Sequence, residues 1–184
     1  GVPSNGIRVA GSSAASTLVG DPSGRWVFGL NCDESAIAQY AFDAESGKLS
    51  PNAAASGGSA GNDLAFHPNG KWAYLTREMD VMQLQLDAAT GRMQAGEVTW
   101  YEPPSNAGAM SCLGSRLVVH PTGRFVYALT FQGGGTVYTF SVAPDTGKLT
   151  RVGSLNYERF RGASSLAVDR SGRFMFAGGG ANVF

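Results

Sequence analysis

The run His120-Pro121-Thr122-Gly123-Arg124-Phe125-Val126-Tyr127 decides how the rest of the chain is read. Proline fixes φ at the front of a turn and glycine takes the left-handed position behind it. Alternating apolar residues then lead into a strand, with a second alternating run beyond the glycines at 133–135. The same unit returns as Asp21-Pro-Ser-Gly-Arg-Trp-Val-Phe, His67-Pro-Asn-Gly-Lys-Trp-Ala-Tyr and Asp169-Arg-Ser-Gly-Arg-Phe-Met-Phe. Its turn glycines, Gly24, Gly70, Gly123 and Gly172, are separated by 46, 53 and 49 residues. A period of this size marks a repeat architecture.

Each of the first three repeats carries a second turn, Asp43-Ala-Glu-Ser-Gly47, Asp87-Ala-Ala-Thr-Gly91 and Ala143-Pro-Asp-Thr-Gly147, which lies 21 to 24 residues after the first turn glycine. One strand before the first turn, two between the turns and one after the second make a four-stranded antiparallel meander. Nothing reads as a helix of usable length. In the second strands, Trp26, Trp72, Phe125 and Phe174 alternate with Val27, Ala73, Val126 and Met175. A strand apolar on both faces is sandwiched between two sheets. A ring of sheets packed face to face supplies that environment, and a plain sandwich does not explain the recurring unit. The expected fold is therefore an all-β propeller of four-stranded antiparallel blades.

Residues 1–184 read as a single partial propeller domain of about three and a half blades. The repeats fall at about 17–57, 63–110 and 116–162, with an incomplete one at 165–184. The fourth repeat lacks its second turn, and a short strand candidate at 6–10 offers one outer strand at most. Remaining blades or a partner chain are then needed to close the ring, because an open terminal sheet leaves its aromatics in water.

The 184 residues are 43% hydrophobic, with 14 basic and 14 acidic side chains. That is the composition of a soluble globular domain. Zero net charge gives no electrostatic case for a nucleic-acid partner or an anionic membrane, and no apolar run approaches a membrane span. Two cysteines, Cys32 and Cys112, are too few for a disulfide framework, so they read as free thiols. The compartment, cytoplasmic or secreted, is left open.

The pattern His-Pro-x-Gly-Arg-Phe-x-Tyr, followed by an alternating strand and Asp-x-x-Ser/Thr-Gly-Lys-Leu, resembles the lactonase-type seven-bladed propellers. That family contains bacterial 6-phosphogluconolactonase and fungal carboxymuconate cyclase. The resemblance covers about residues 17–184 and implies a ring of about seven blades. It also implies an activity that opens or closes a lactone of a sugar acid or muconate. Family enzymes carry histidine, arginine and glutamate at the top of the central channel. The matching places here hold Asn62 and Asp63, Ser115 and Arg116, Ser165, and Gly180, so no catalytic residue carries over.

The two histidines, His67 and His120, occupy one repeated turn position and read as structural. This leaves no histidine base, Ser-His-Asp triad or multi-histidine metal site in these residues. The glycine runs at 133–135 and 178–180 lack the Lys-Ser/Thr and the helix of a phosphate loop, and no cofactor is implied. The seven basic residues that follow the turn glycines fall at the bottom end. The top end carries Arg77, Glu78 and Asp80 in repeat two, Arg116 opening repeat three, and Glu158, Arg159 and Arg161 before repeat four. Asp33 and Glu34 end repeat one. Of these, Arg77, Glu78, Arg116, Glu158, Arg159 and Arg161 form the candidate ligand set. Arginines beside carboxylates at a channel mouth suit a small anionic or sugar-acid ligand. The rival reading is a non-catalytic propeller that binds a protein or small ligand on its top face.

Overall fold

The computed structural model describes residues 17–30, 37–52, 61–77, 80–101, 115–130, 135–156, 163–179 and 182–183. Every regular element among them is a strand. The first sheet holds β1 (Thr17–Gly20), β2 (Trp26–Leu30), β3 (Ala38–Asp43) and β4 (Lys48–Pro51). The second holds β5 (Asp63–Phe66), β6 (Trp72–Thr76), β7 (Asp80–Leu86) and β8 (Met93–Trp100). The third holds β9 (Arg116–Val119), β10 (Phe125–Thr130), β11 (Thr136–Val142) and β12 (Leu149–Asn156). β13 (Ser165–Val168), β14 (Met175–Gly179) and β15 (Asn182–Val183) make a three-stranded fourth sheet. Strand order follows chain order in every sheet, and all pairings are antiparallel. These are the meanders that the turn spacing predicts, and the sheets are blades one to four.

The turn chemistry is the expected one. In blade two, Gly70 (φ +70) closes the first turn by donating its N–H to the His67 carbonyl oxygen at 2.9 Å. In the second turn, Asp87 accepts from the Ala89 amide and the Thr90 hydroxyl at 2.9 and 2.7 Å. These bonds hold its carboxyl below the ordinary value of 3.8, the Thr90 hydroxyl contributing most. Asp43 is held down in the same way, first by Ser46.

The first strands of successive blades lie side by side, β1 near β5, β5 near β9 and β9 near β13. The fourth strands β4, β8 and β12 are largely exposed. The first strands are therefore innermost, as they are around a propeller channel. Each blade presents a forward face to the next blade in sequence and a backward face to the one before. Trp26, Phe28 and Leu30 point forward from blade one into Leu64, Ala73, Leu75, Leu84 and Leu86 of blade two. Trp72 and Tyr74 point forward from blade two into Leu117, Val126, Ala128, Tyr138 and Phe140. Tyr127, Leu129 and Val137 meet Leu166, Met175 and Ala177 of blade four. Period-two alternation thus splits each second strand between two joints.

Polar contacts reinforce the joints at the bottom end. The Nδ1 of His67 accepts the Asn69 N–H at 3.2 Å, and its Nε2 lies 3.0 Å from the Gly123 carbonyl oxygen. A backbone amide can only donate, so Nδ1 is the acceptor and Nε2 carries the hydrogen. Blade two thereby latches onto blade three. His120 repeats the arrangement, taking the Thr122 amide and reaching the Gly172 carbonyl oxygen at 3.0 Å. Blade one has Asp21 at this position, and it caps its own turn through the Ser23, Arg25 and Trp26 amides. Its joint is tied differently: the Arg25 guanidinium and the Trp26 indole N–H both donate to the Ala88 carbonyl oxygen.

The second turn glycines receive the aromatics. The Trp26 ring sits over Gly91 and the Trp72 ring over Gly147, where an added Cβ would fall about 2.5 and 2.4 Å from the indoles. Tyr74 donates to the Gly147 carbonyl oxygen at 2.9 Å, and Gln83 donates to that of Thr146 at 2.7 Å.

Candidate functional site

The top end of the inner strands brings four repeat-equivalent residues to one level: Thr17, Asp63, Arg116 and Ser165. Their spacing of 46, 53 and 49 residues equals that of the first turn glycines. Two of the four are charged, and they stand on adjacent blades. The Asp63 Oδ2 accepts the Leu117 N–H of blade three at 2.9 Å, and Oδ1 accepts the Leu64 N–H at 3.0 Å. Burial pushes the Asp63 carboxyl above the ordinary value of 3.8, and these two amides and the nearby Arg116 charge only partly offset it. Arg116 in turn reaches blade four, its Nε donating to the Ser164 carbonyl oxygen at 2.9 Å. A second nitrogen donates to the Ser115 carbonyl oxygen at 3.3 Å. The top inner residues of blades two and three thus each tie to the start of the following blade.

Behind this pair, the Arg77 guanidinium grips Asp80 two-pronged, Nε to Oδ1 at 2.7 Å and a terminal nitrogen to Oδ2 at 2.8 Å. Asp80 is buried, and planar fork-to-carboxylate geometry is the strongest form of such a contact. The Arg77 carbonyl oxygen accepts from the Tyr101 and Ser115 hydroxyls at 3.2 and 3.3 Å. Asn62 approaches the Ser115 hydroxyl at 3.4 Å. Burial pushes the Tyr101 phenol up to about 12, so it is a fixed donor at neutral pH. The exit of β6 is therefore anchored to the entry of β9.

Of the six sequence-derived ligand residues, Arg77 and Arg116 both lie at the top end, Arg77 turned to Asp80 and Arg116 to Ser164 and Ser115. Glu78, Glu158, Arg159 and Arg161 lie outside the described residues, as do Asp33, Glu34, Cys32, Cys112 and the strand candidate at 6–10. The residue that sequence reading passed over is Asp63. It stood out only as something other than a family histidine, although its repeat position and its acidic side chain were both visible. Among the described residues no group of three histidine, cysteine or carboxylate side chains is arranged to hold a metal. Among the described residues no helix is long and apolar enough to cross a membrane. A hollow of about 320 Å³ lies at the other end, lined by Gln85, Asp87, Thr90 and Arg92. Its Asp87 and Thr90 are already used by the turn.

Comparison with known proteins settles the family. The family model described as "Lactonase, 7-bladed beta-propeller" matches residues 10–181. The chain belongs to the lactonase family of seven-bladed β-propellers. It is 30% identical over 166 residues to a 6-phosphogluconolactonase of Pectobacterium carotovorum, covering 86% of this chain and 48% of that protein. The lactonase-family chain thus spans about half the length of the relative it matches. In fold it is similar to the crystal structure of a putative 6-phosphogluconolactonase from Bacteroides uniformis. There the TM-score is 0.70 at 22% identity, over 87% of this chain and 46% of that one. It is also similar to a periplasmic gluconolactonase of Pseudomonas aeruginosa, with a TM-score of 0.67 at 23% identity over 89% and 46%.

Proposed function

We propose that this lactonase-family chain contributes to the hydrolysis of a sugar-acid lactone at the top of the propeller channel. The observation that carries the reading is the placement of Asp63 and Arg116 at the top of adjacent inner strands. In hydrolysis, water adds to the lactone carbonyl carbon, the ring C–O ester bond breaks and the ring oxygen leaves as a hydroxyl. A carboxyl held above its ordinary pKa is suited to carry a proton between the two oxygens. A guanidinium beside it is suited to the carboxylate or phosphate of the sugar acid. Arg77, at the same end, and Glu78, Glu158, Arg159 and Arg161, by their place in the repeats, belong to the proposed ligand set.

The test is proton release in a pH-stat with a gluconolactone as substrate. Hydrolysis above the spontaneous rate is expected, with Arg116→Ala raising KM and Asp63→Asn lowering kcat. Unchanged kinetics in both variants would remove the pair from the reaction. A second reading, a non-catalytic scaffold that binds a small acid on the same face, is favoured by the backbone partners both residues already hold. Gluconate binding by calorimetry without any lactone turnover would select it.

A further inference from the structure

The residues just ahead of Asp63 and Arg116 are themselves joined across the seam between blades two and three. Asn62 and Ser115 hold the same place in their repeats, eight residues before Gly70 and Gly123. The Asn62 side-chain nitrogen donates to the Ser115 hydroxyl at 3.4 Å. That hydroxyl gives its own hydrogen back to blade two, to the Arg77 carbonyl oxygen at 3.3 Å. The Tyr101 hydroxyl donates to the same oxygen at 3.2 Å. A serine hydroxyl has one hydrogen to give, and here a backbone carbonyl, which is no base, receives it. Ser115 is 4% exposed and Tyr101 2%, so water competes little for either bond.

Blade two is firm at this point. The Asn62 N–H donates to the Thr76 carbonyl oxygen at 2.8 Å, and the Arg77 N–H to that of Asp80 at 3.0 Å. Ser115 brings the start of β9 down onto that frame. Its carbonyl oxygen accepts from the Arg116 guanidinium at 3.3 Å. Two residues on, the Leu117 N–H reaches the Asp63 Oδ2 at 2.9 Å. At the next joint the equivalent serine, Ser164, is held differently, by Arg116 on its carbonyl oxygen.

We infer that Ser115 is a positioning residue: its hydroxyl, bridging Asn62 and the Arg77 carbonyl oxygen, sets the separation of Asp63 and Arg116. The inference rests on the reading of that pair as the reacting groups, and it deepens that reading by saying what holds them in register. Without the hydroxyl, the start of β9 lifts from blade two. The Leu117 amide then leaves Asp63, and the Arg116 guanidinium moves with the Ser115 carbonyl.

Ser115→Ala in the 184-residue chain tests this through a readout that needs no substrate, the hydrogen exchange of the Leu117 amide followed by NMR. Exchange there is expected to be about tenfold faster than in the parent. The Val142 amide, bonded to the Arg124 carbonyl oxygen at 2.9 Å at the bottom of the same blade, is expected to keep the parent rate. Unchanged exchange at Leu117 overturns the inference. Equal acceleration at both amides also overturns it, because it reports a loss of overall stability alone. Asn62→Ala removes one arm of the same bridge, so the double variant is expected to match Ser115→Ala, and fully additive effects would overturn the shared bridge. Should Ser115→Ala not fold, Asn62→Ala carries the exchange test. With a gluconolactone as substrate, Ser115→Ala is expected to lower kcat/KM about 10–100-fold. Unchanged kinetics beside an altered Leu117 amide overturns the positioning role. A parent chain without turnover overturns the catalytic reading of Asp63 and Arg116, and the exchange result then decides the bridge by itself.

Discussion

The imidazole of His67 leaves blade two and donates its Nε2 hydrogen to the carbonyl oxygen of Gly123 in blade three, 56 residues later. Its other nitrogen is filled from within its own turn by Asn69. One side chain therefore shapes a turn and fastens that turn to its neighbour. Removing it by His67→Ala is expected to cost about 1–3 kcal/mol, because the Gly123 acceptor loses its partner in a buried place and the Asn69 amide loses its acceptor. His120→Ala is expected to cost less, since that ring is more exposed. Urea unfolding of both variants measures the difference, and equal, negligible losses would show the latch to be ornamental.

Gly147 and Gly24 separate two roles of glycine. Both have φ near +70°, but an added Cβ at Gly147 meets the Trp72 ring, while Gly24 has nothing within 4 Å. Gly24→Ala is expected to cost about 1–2 kcal/mol, from the left-handed backbone alone. Gly147→Ala carries that cost and overpacking of about 1–3 kcal/mol besides. Thermal unfolding of the two variants reads the packing contribution as their difference.

Trp72 fills the joint between blades two and three, and it is 7% exposed. Trp72→Ala is expected to cost about 3–5 kcal/mol. A loss below about 1 kcal/mol, outside the range for a buried aromatic, would mean that the ring is not the wedge described here.

The acidic side of the stability curve has two components of opposite sign. Asp43 and Asp87 have carboxyls held below 3.8 in the folded chain, chiefly by the Ser46 and Thr90 hydroxyls. Their contribution is fully present above the unfolded value and is lost as pH falls through the lower folded value. Asp63 is held above 3.8, chiefly by burial. In the window just above 3.8 the folded state holds its proton more tightly, so stability falls there as pH rises. The double variant Asp43→Asn/Asp87→Asn is expected to show a shallower loss below pH 3.8, and Asp63→Asn to lose the opposing slope above it. Urea midpoints between pH 3 and 6 distinguish the two.

The repeat was legible because both turns are local: Pro-x-Gly and Asp-x-x-Ser/Thr-Gly write their backbone geometry into four or five adjacent residues. The two-faced strands were legible for the same reason, since Trp72, Ala73 and Tyr74 need only alternation to be assigned to opposite joints. What His67 touches was not legible. Repetition marked it as structural, but its partner is a carbonyl in another blade, and every residue has a carbonyl. Asp63 escaped for a related reason. Its amide partner on Leu117 carries no side-chain signature, and its burial arises from two blades that meet only in the fold. Arg77 read as one of a ligand set beside Glu78 and Asp80, and only the folded loop shows that its fork is taken by Asp80.

The ring-on-glycine contact has a consequence for how such a chain can grow. Blades two and three each carry a glycine that seats the preceding blade's ring, and blade two also supplies the ring for the next. Duplicating one such unit in tandem therefore creates a serviceable seam at once, with no second mutation needed to match it. The blade count of an ancestor could change by recombination alone, and the seam behind Asp21, tied through Arg25 and Trp26 to Ala88, shows that such a joint holds without a histidine latch.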